Sequence, residues 1–368
     1  MTQGASSLLI DATQLRDLHS GVARRLTSLW PHVAQQNEGI RLGVVAYDFM
    51  VKSLRPYFPK IDIHEVRDFG AGPLVRKRHL NPALNQLRRS QGYEWLHQDG
   101  FVAAPGKTMV TIHDLRSLDA QYAGWWRRQS ARHLLKRLQL SRTPIITVSE
   151  FSRKEISKSL GQVDSGIYIV PNGVDAERFQ SSKDRANLAE LELTPGRFRL
   201  FVGHLEKRKN LGFLIEIQRR LVMDDPAATL VVSTHCREKS PDSVSWLSRL
   251  GAEPGIIVCN DLNDEQLGGL YRHASCFLMP SLMEGFSITP LEALSLGTPA
   301  LVSNIGPHQE ILGSKFCLPL EVDAWMRGID EVESELGRQK LILAGAKIVD
   351  CLTWERAAED MSSLLSQL

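Results

Sequence analysis

Short β-rich runs separated by helix-length segments recur along all 368 residues, and this alternation restricts the fold more than any other feature. The runs fall at residues 7–11, 42–47, 108–112, 144–148 and 167–170, then at 198–202, 228–233, 255–259, 275–279 and 299–302. Parallel neighbours need a crossover long enough for a helix, so the pattern predicts an α/β protein built on parallel sheets. Pro171-Asn172-Gly173 is a turn signal at the head of a polar stretch that runs to Pro195-Gly196. It places the boundary between two Rossmann-like domains, 1–173 and 174–351, where a hinge would let a cleft open and close. Residues 352–368 carry an amphipathic helix that begins near Trp354. No internal repeat or low-complexity tract interrupts this organisation.

Composition adds bounds. With 43% hydrophobic and 23% charged residues the chain resembles ordinary soluble proteins of about two domains. No window approaches the roughly 20 apolar residues of a membrane span, and Met1-Thr-Gln-Gly-Ala lacks a basic segment ahead of an apolar one. The expected location is the cytoplasm. Cys236, Cys259, Cys276, Cys317 and Cys351 form no C-x-x-C pair and are expected to be reduced core residues. The net charge of +2 hides an asymmetry: residues 1–172 hold 24 Lys+Arg against 14 Asp+Glu, net +10, and the rest is net −8. A basic N-terminal half suits nucleic acid, an anionic membrane surface or a phosphorylated acceptor.

The segment Glu284-Gly-Phe-Ser-Ile-Thr-Pro-Leu-Glu292 follows the apolar run at 275–279 and opens a helix predicted over 291–296. In an open α/β sheet, the loop after a strand's carboxyl end and the first turn of the next helix form the ligand crevice. Both acids therefore face a bound molecule in this reading, beside helix amides that suit phosphate. Hydroxyls and phosphate together suggest a nucleotide sugar. A second reading stays open for one of the two: Thr289-Pro290-Leu291-Glu292 has the form of a capping box, in which Glu292 bonds back to the Thr289 amide. Capping leaves Glu284 and Gly285 without a structural duty.

Other positions carry chemistry at strand ends. Gly203, followed by Arg208 and Lys209 ahead of a helix starting near Asn210, puts two cations where a diphosphate leaving group would gain charge. A run of solvated surface charges is the alternative. Gly21 opens a helix after the first strand, where the backbone can approach a phosphate or sugar, or where it serves a simple turn. His113 ends the run at 108–112 and precedes Asp114, a position equally open to a structural or a functional histidine. The chain has no D-x-D triplet and no cluster at metal-ligand spacing, so no metal and no cofactor is expected.

The Glu284-to-Glu292 spacing resembles the E-x7-E signature of retaining glycosyltransferases of family 4, which have the GT-B fold of two Rossmann-like domains facing each other across a cleft. Val202-Gly-His-Leu-Glu-Lys-Arg-Lys-Asn210, Val148-Ser-Glu-Phe-Ser152, Val170-Pro-Asn-Gly-Val-Asp175, Thr111-Ile-His-Asp114 and Leu270-Tyr-Arg-His-Ala274 with Pro280-Ser281 follow in the family's order. The resemblance implies that the second domain binds a nucleotide-sugar donor and that the last helix crosses back onto the first. It implies that Glu284 contacts hydroxyls of the donor sugar, Glu292 the ribose, and the amides of Phe286, Ser287 and Ile288 the sugar and phosphate. His113 would line the site beside the transferred sugar, and Gly21 would border the diphosphate and acceptor. Many members have arginine where this chain has His204, which makes Arg208 the second cation. Glycine is usual where this chain has Ser287, so the backbone there is expected to adopt a conformation that tolerates a Cβ.

The implied activity is retaining transfer of a hexose, mannose from GDP-mannose first, to a saccharide or lipid-diphosphate-linked acceptor in bacterial surface polysaccharide synthesis. Two other classes remain: a nucleotide-sugar epimerase of the same fold, and a non-enzymatic nucleic-acid-binding protein using the basic half. The latter has no helix-turn-helix, zinc-finger or RRM signature here, so nucleic acid is not an expected partner. Trp125-Trp126 and the basic residues Arg127, Arg128, Arg132, Lys136 and Arg137 flank an apolar stripe of Ala131, Leu134, Leu135 and Leu138. With the tract from Arg76 to Arg89 they suit either a surface helix or contact with an anionic membrane.

Overall fold

The computed structural model describes residues 6–68, 76–101, 103–161, 166–179, 188–235 and 241–368. The chain divides into two compact units, Met1–Gly173 with Trp354–Leu368, and Val174–Thr353. Each unit is built on one sheet, and among the described residues all its strand pairs are parallel.

The first sheet holds β1 (Ser7–Asp11), β2 (Arg41–Tyr47), β3 (Asp62–Val66), β4 (Trp95–Asp99), β5 (Thr108–Ile112), β6 (Ile145–Thr147) and β7 (Ile167–Ile169), in the order β3-β2-β1-β4-β5-β6-β7. The second holds β8 (Phe198–Val202), β9 (Thr229–Thr234), β10 (Ile256–Asn260), β11 (Cys276–Met279), β12 (Ala300–Ser303) and β13 (Cys317–Leu318), in the order β10-β9-β8-β11-β12-β13. Both are doubly wound. Strand order reverses between β1 and β4 in one sheet and between β8 and β11 in the other, and ligands of such sheets bind outside the carboxyl ends at that point.

The central strands are covered on both faces, which explains their apolar runs: Leu8, Leu9 and Ile10 are fully buried, as are Phe277, Leu278 and Met279. Three strands were not legible. β3 is a half-exposed edge with the sequence DIHEV, β13 has two residues, and β4 reads WLHQD, ending in polar groups. The C-terminal helix Trp354–Gln367 places Trp354, Ala358, Met361 and Leu365 in the first unit's core, beside Leu26 and Trp30. Val174 and Thr353 form an isolated parallel bridge, and the Val174 amide donates to the Leu352 carbonyl at 2.9 Å.

The helix predicted over 291–296 in fact runs Ile288–Ser295, with Ser287 at its N-cap and no side-chain cap bond. Thr289 is thus inside the first turn, and the capping box does not form. Among the cysteines, Cys259, Cys276 and Cys317 are buried and free, Cys351 is exposed rather than in the core, and Cys236 lies outside the described residues.

Candidate functional site

At the second sheet's switch point the chain leaves β8 through Gly203 and a single 3-10 turn, Lys207–Lys209. It enters the helix Leu211–Asp224 by way of Asn210 at φ 55°. A Cβ on Gly203 would lie 3.4 Å from Lys209 Cε and 3.1 Å from the Phe201 ring. Glycine therefore lets the lysine stem run against the strand end. Its ammonium donates to Glu284 Oε1 at 2.8 Å. Arg208 spans two carboxylates, donating from Nη1 to Glu284 Oε2 at 2.7 Å and from Nε to Glu206 Oε2 at 2.6 Å. The Leu282 amide donates to the Arg208 carbonyl at 2.7 Å, so the loops after β8 and β11 are joined through backbone as well.

This cluster differs from the open cationic pole that the sequence suggests. The Glu284 and Lys209 side chains are each only 8% exposed, and Glu284 is turned onto the two cations. Burial alone would push its carboxyl up; the charges of Lys209 and Arg208 outweigh that and hold it well below the usual carboxylate range. Two cations and two carboxylates, counting Glu206, leave no net formal charge. Glu284 therefore has a structural duty that the sequence reading did not give it. His204 sits nearby with its pKa lowered by burial, against the attraction of Glu206.

Ser287 also departs from expectation. Its backbone lies at φ 77°, ψ 78°, in the left-handed region, instead of shifting to accommodate the Cβ. For an L-residue this costs about 1–2 kcal/mol. The Ser287 hydroxyl lies 2.8 Å from His308 Nε2, and His308 Nδ1 lies 2.8 Å from the Ser303 carbonyl oxygen. Since a carbonyl only accepts, Nδ1 carries the proton and Nε2 accepts from the serine. His308 is fully buried, and burial brings its pKa down to about 4. Phe286 is buried, while Ile288 and Thr289 are partly exposed, and the Thr289 hydroxyl faces Met279 Sδ at 3.9 Å. Glu292, 1% exposed, accepts from the buried Tyr271 hydroxyl at 2.8 Å. That bond replaces the expected cap.

In the first unit, His113 stands just beyond β5, and its Nε2 donates to Asp99 Oδ1, at the end of the neighbouring β4, at 2.8 Å. The side chains are 22% and 7% exposed. Burial pushes the Asp99 carboxyl up, but the His113 bond and the charge of Arg25 hold it low. Arg25 is buried, donates from Nη1 to Asn172 Oδ1 at 2.8 Å and to the Pro171 carbonyl at 3.1 Å, and is brought to about 10 by burial. His97 contacts Thr111 Oγ1 at 2.7 Å and is brought to about 4, again by burial. Asp114 accepts from the Arg116 amide at 3.0 Å. Gly21 is the exposed first residue of the helix Gly21–Gln36, whose Ser20 cap accepts from the Ala23 amide at 3.1 Å. Sequence reasoning missed Asp99, Arg25, Glu206, Tyr271 and His308, each of which makes its key contact across a long stretch of chain or within a charged run.

Along the helix Trp125–Leu140, Ala131, Leu135 and Leu138 are buried, whereas Trp125 and Trp126 are 53% and 80% exposed. Arg127, Arg132, Lys136 and Arg137 are exposed beside them. In the second basic tract Arg88 is not available to a surface partner: it is buried and donates to the carbonyls of Tyr93 and Glu94. The side chains of Arg76 and Lys77 lie outside the described residues. Among the described residues no helix is long and apolar enough to cross a membrane, and no three His, Cys, Asp or Glu side chains gather as a metal would require.

The family description "Glycosyltransferase Family 4" matches residues 19–178, and "Glycosyl transferases group 1" matches residues 185–346. The chain is 26% identical over 230 residues to the MMP alpha-(1->4)-mannosyltransferase of Mycolicibacterium hassiacum, covering 61% of this chain and 53% of that protein. It is 29% identical over 185 residues to the O-antigen chain mannosyltransferase B of Escherichia coli, covering 49% of each. The chain thus spans about half the length of these curated relatives. The crystal structure of Anabaena Alr3699/HepE in complex with UDP-glucose superposes with a TM-score of 0.78 at 16% identity, over 98% of this chain and 100% of that one. At that identity the likeness speaks for the fold, which is GT-B. Two adjoining family matches, one on each doubly wound unit, lead to one conclusion: the chain belongs to the family 4, group 1 glycosyltransferases.

Proposed function

We propose that the protein transfers a hexose from a nucleotide sugar to a saccharide or lipid-diphosphate-linked acceptor with retention of configuration, and that the first donor to test is GDP-mannose. The observation that carries this reading is the Glu284–Arg208–Lys209 cluster at the β8/β11 switch point, next to the amides at the start of the helix Ile288–Ser295. That helix N-terminus supplies positive potential for a departing diphosphate, and Arg208 and Lys209, whose charge Glu206 and Glu284 balance, fix the loop beside it; no metal or other cofactor is invoked. Glu284, locked by two cations, presents a rigid edge to sugar hydroxyls, and Glu292, fixed by Tyr271, is assigned to the ribose. The similarity to two named mannosyltransferases supports mannose, and the O-antigen relative supports an acceptor in surface polysaccharide synthesis.

In the proposed reaction the anomeric carbon–phosphate oxygen bond breaks and the acceptor oxygen bonds to the same face. The departing phosphate oxygen takes the acceptor's proton. His113, held by Asp99, bonds a sugar hydroxyl and is not a nucleophile. A covalent glycosyl-enzyme trapped and seen by mass spectrometry would overturn this route. The donor is tested by thermal shift against GDP-, UDP-, ADP- and dTDP-sugars, since a ligand at 100 times its dissociation constant stabilises by about 2.7 kcal/mol. A melt unmoved by all of them rejects these nucleotide sugars as donors and weakens the transferase reading sharply.

The exposed Trp125-Trp126 pair and the cations beside it support peripheral contact with an anionic inner leaflet. Flotation with anionic but not neutral liposomes is the expected result; equal behaviour with both rejects the contact.

A further inference from the structure

We propose that His308 is a positioning residue for the donor loop: by accepting the Ser287 hydroxyl it holds a serine in a backbone conformation that glycine adopts unaided, and so aims the Ser287 and Ile288 amides. The inference rests on the donor-binding reading above and deepens it. It would make the Ser287–His308 pair this chain's substitute for a loop glycine.

The geometry supports this from both ends of the loop. β11 and β12 pair in register through Met279 and Val302, so their carboxyl ends lie side by side. The loop that leaves β11 is tied twice to the end of β12. At its start, the Ser303 hydroxyl donates to the Ser281 carbonyl. At its far end, Ser287 donates to His308, which in turn donates to the Ser303 carbonyl. Ser281, Ser287, Ser303 and His308 are all buried, so these bonds do not compete with solvent. Both nitrogens of His308 are engaged, which fixes the ring's tautomer and orientation. A serine at φ 77° lacking that acceptor would have reason to relax toward right-handed or extended backbone, and the following amides would turn with it. Glycine at the same position would need no such restraint.

A double-mutant cycle on the full chain tests the inference, using Ser287→Ala, Ser287→Gly, His308→Leu and the last two combined. Wild-type protein is first shown to respond to a nucleotide sugar, and donor KM, acceptor KM, kcat and melting temperature are then read for each variant. Ser287→Ala and His308→Leu are each expected to raise donor KM by about tenfold, with acceptor KM changed by less than about twofold. Ser287→Gly is expected to keep donor KM at least about threefold lower than Ser287→Ala does, and His308→Leu to add less than about threefold in the Ser287→Gly background. Equal damage from His308→Leu in both backgrounds would overturn the proposal, since His308 would then serve the fold alone. So would a Ser287→Gly variant as impaired as Ser287→Ala. If His308→Leu does not fold, the contrast between Ser287→Ala and Ser287→Gly decides by itself. A wild-type melt insensitive to every nucleotide sugar removes the donor reading and this one together, whereas a donor-responsive protein with an uncoupled cycle removes only this one.

Discussion

The two switch points place a buried carboxylate at the end of a central strand or just beyond it, and surround it in different ways. At β8/β11, Glu284 lies between Arg208 and Lys209 in a closed cluster with little exposure. At β1/β4, among the described residues Asp99 has one direct side-chain partner, His113, whose ring is 22% exposed, while Arg25 acts on it as a charge and donates instead to Asn172 and Pro171. A closed ion cluster sets the geometry of the loops that carry it, because each member needs the others to remain buried. A histidine–aspartate pair with an accessible ring instead orients one nitrogen and leaves the ring able to meet a ligand. The second unit is thus built to hold, and the first to present.

The sharpest way to break this contrast is to remove one member of the closed cluster. Glu284→Ala leaves Arg208 and Lys209 buried against each other, and a loss of about 3–5 kcal/mol is expected for such a site. Asp99→Asn, which keeps a hydrogen-bond acceptor on a less buried partner, should cost clearly less. Urea denaturation of both variants, read by hydrogen exchange so that each unit is followed separately, measures the difference. If Glu284→Ala loses under 1 kcal/mol, roughly a surface pair's worth, the cluster is not the closed unit described here.

Acid should affect both units, most strongly through one histidine each. His97 and His308 have folded pKa values of about 4, below the ordinary 6.5. Between these values the unfolded chain binds a proton that the folded chain does not, so stability falls as pH drops from about 6.5 to 4 and the histidine contribution is flat below. Each group contributes on the order of 3 kcal/mol to this loss. Glu284 and Asp99, both depressed, contribute stability that is present above the unfolded carboxylate range and lost as pH falls beneath it. The expected profile is therefore a decline beginning near neutrality, followed by a second in stronger acid. Denaturation midpoints across pH 7 to 4 that stay level would show that the two histidines are not buried neutral.

The strands most readily legible in the sequence were those with apolar runs, such as β5 and β8, because burial on both faces leaves little room for other residue types. β4 escaped notice because its last three residues, His97, Gln98 and Asp99, are polar and are used in bonds to Thr111, Asp11 and His113 at the sheet's carboxyl end. Glu206 hid within a charged run that reads as surface, although Arg208 draws it into the cluster. Tyr271 and His308 are each 21 residues from the side chain they hold, a pairing that no local spacing reveals. Glu284 and Glu292 were found by spacing alone. Their partners, and so their different duties, depended on tertiary contact.

The presenting half of the contrast is tested by Asp99→Asn in turnover. Loss of the charged partner should weaken the orientation of His113 and lower kcat about 10- to 100-fold, the worth of a hydrogen bond to a charged group, with donor KM little changed. A matching fall in His113→Ala, with no further fall when the two are combined, would show that they act as one element. A rise in donor KM at constant kcat would instead place the pair in binding.

The smallest expected effect concerns the second carboxylate of the donor loop. Had Glu292 closed a capping box, Tyr271 would be irrelevant to it and Thr289→Ala would be the damaging change. With Glu292 instead bonded to the Tyr271 hydroxyl, Tyr271→Phe removes a single buried bond and should cost about 1 kcal/mol, while Thr289→Ala should cost less. Glu292→Gln retains an acceptor for Tyr271 and should preserve stability; under the proposed ribose contact it should weaken donor binding, because a hydroxyl bonds a carboxylate more strongly than an amide. Equal melting temperatures for wild type and Tyr271→Phe, together with a lower one for Thr289→Ala, would restore the cap and reverse the assignment.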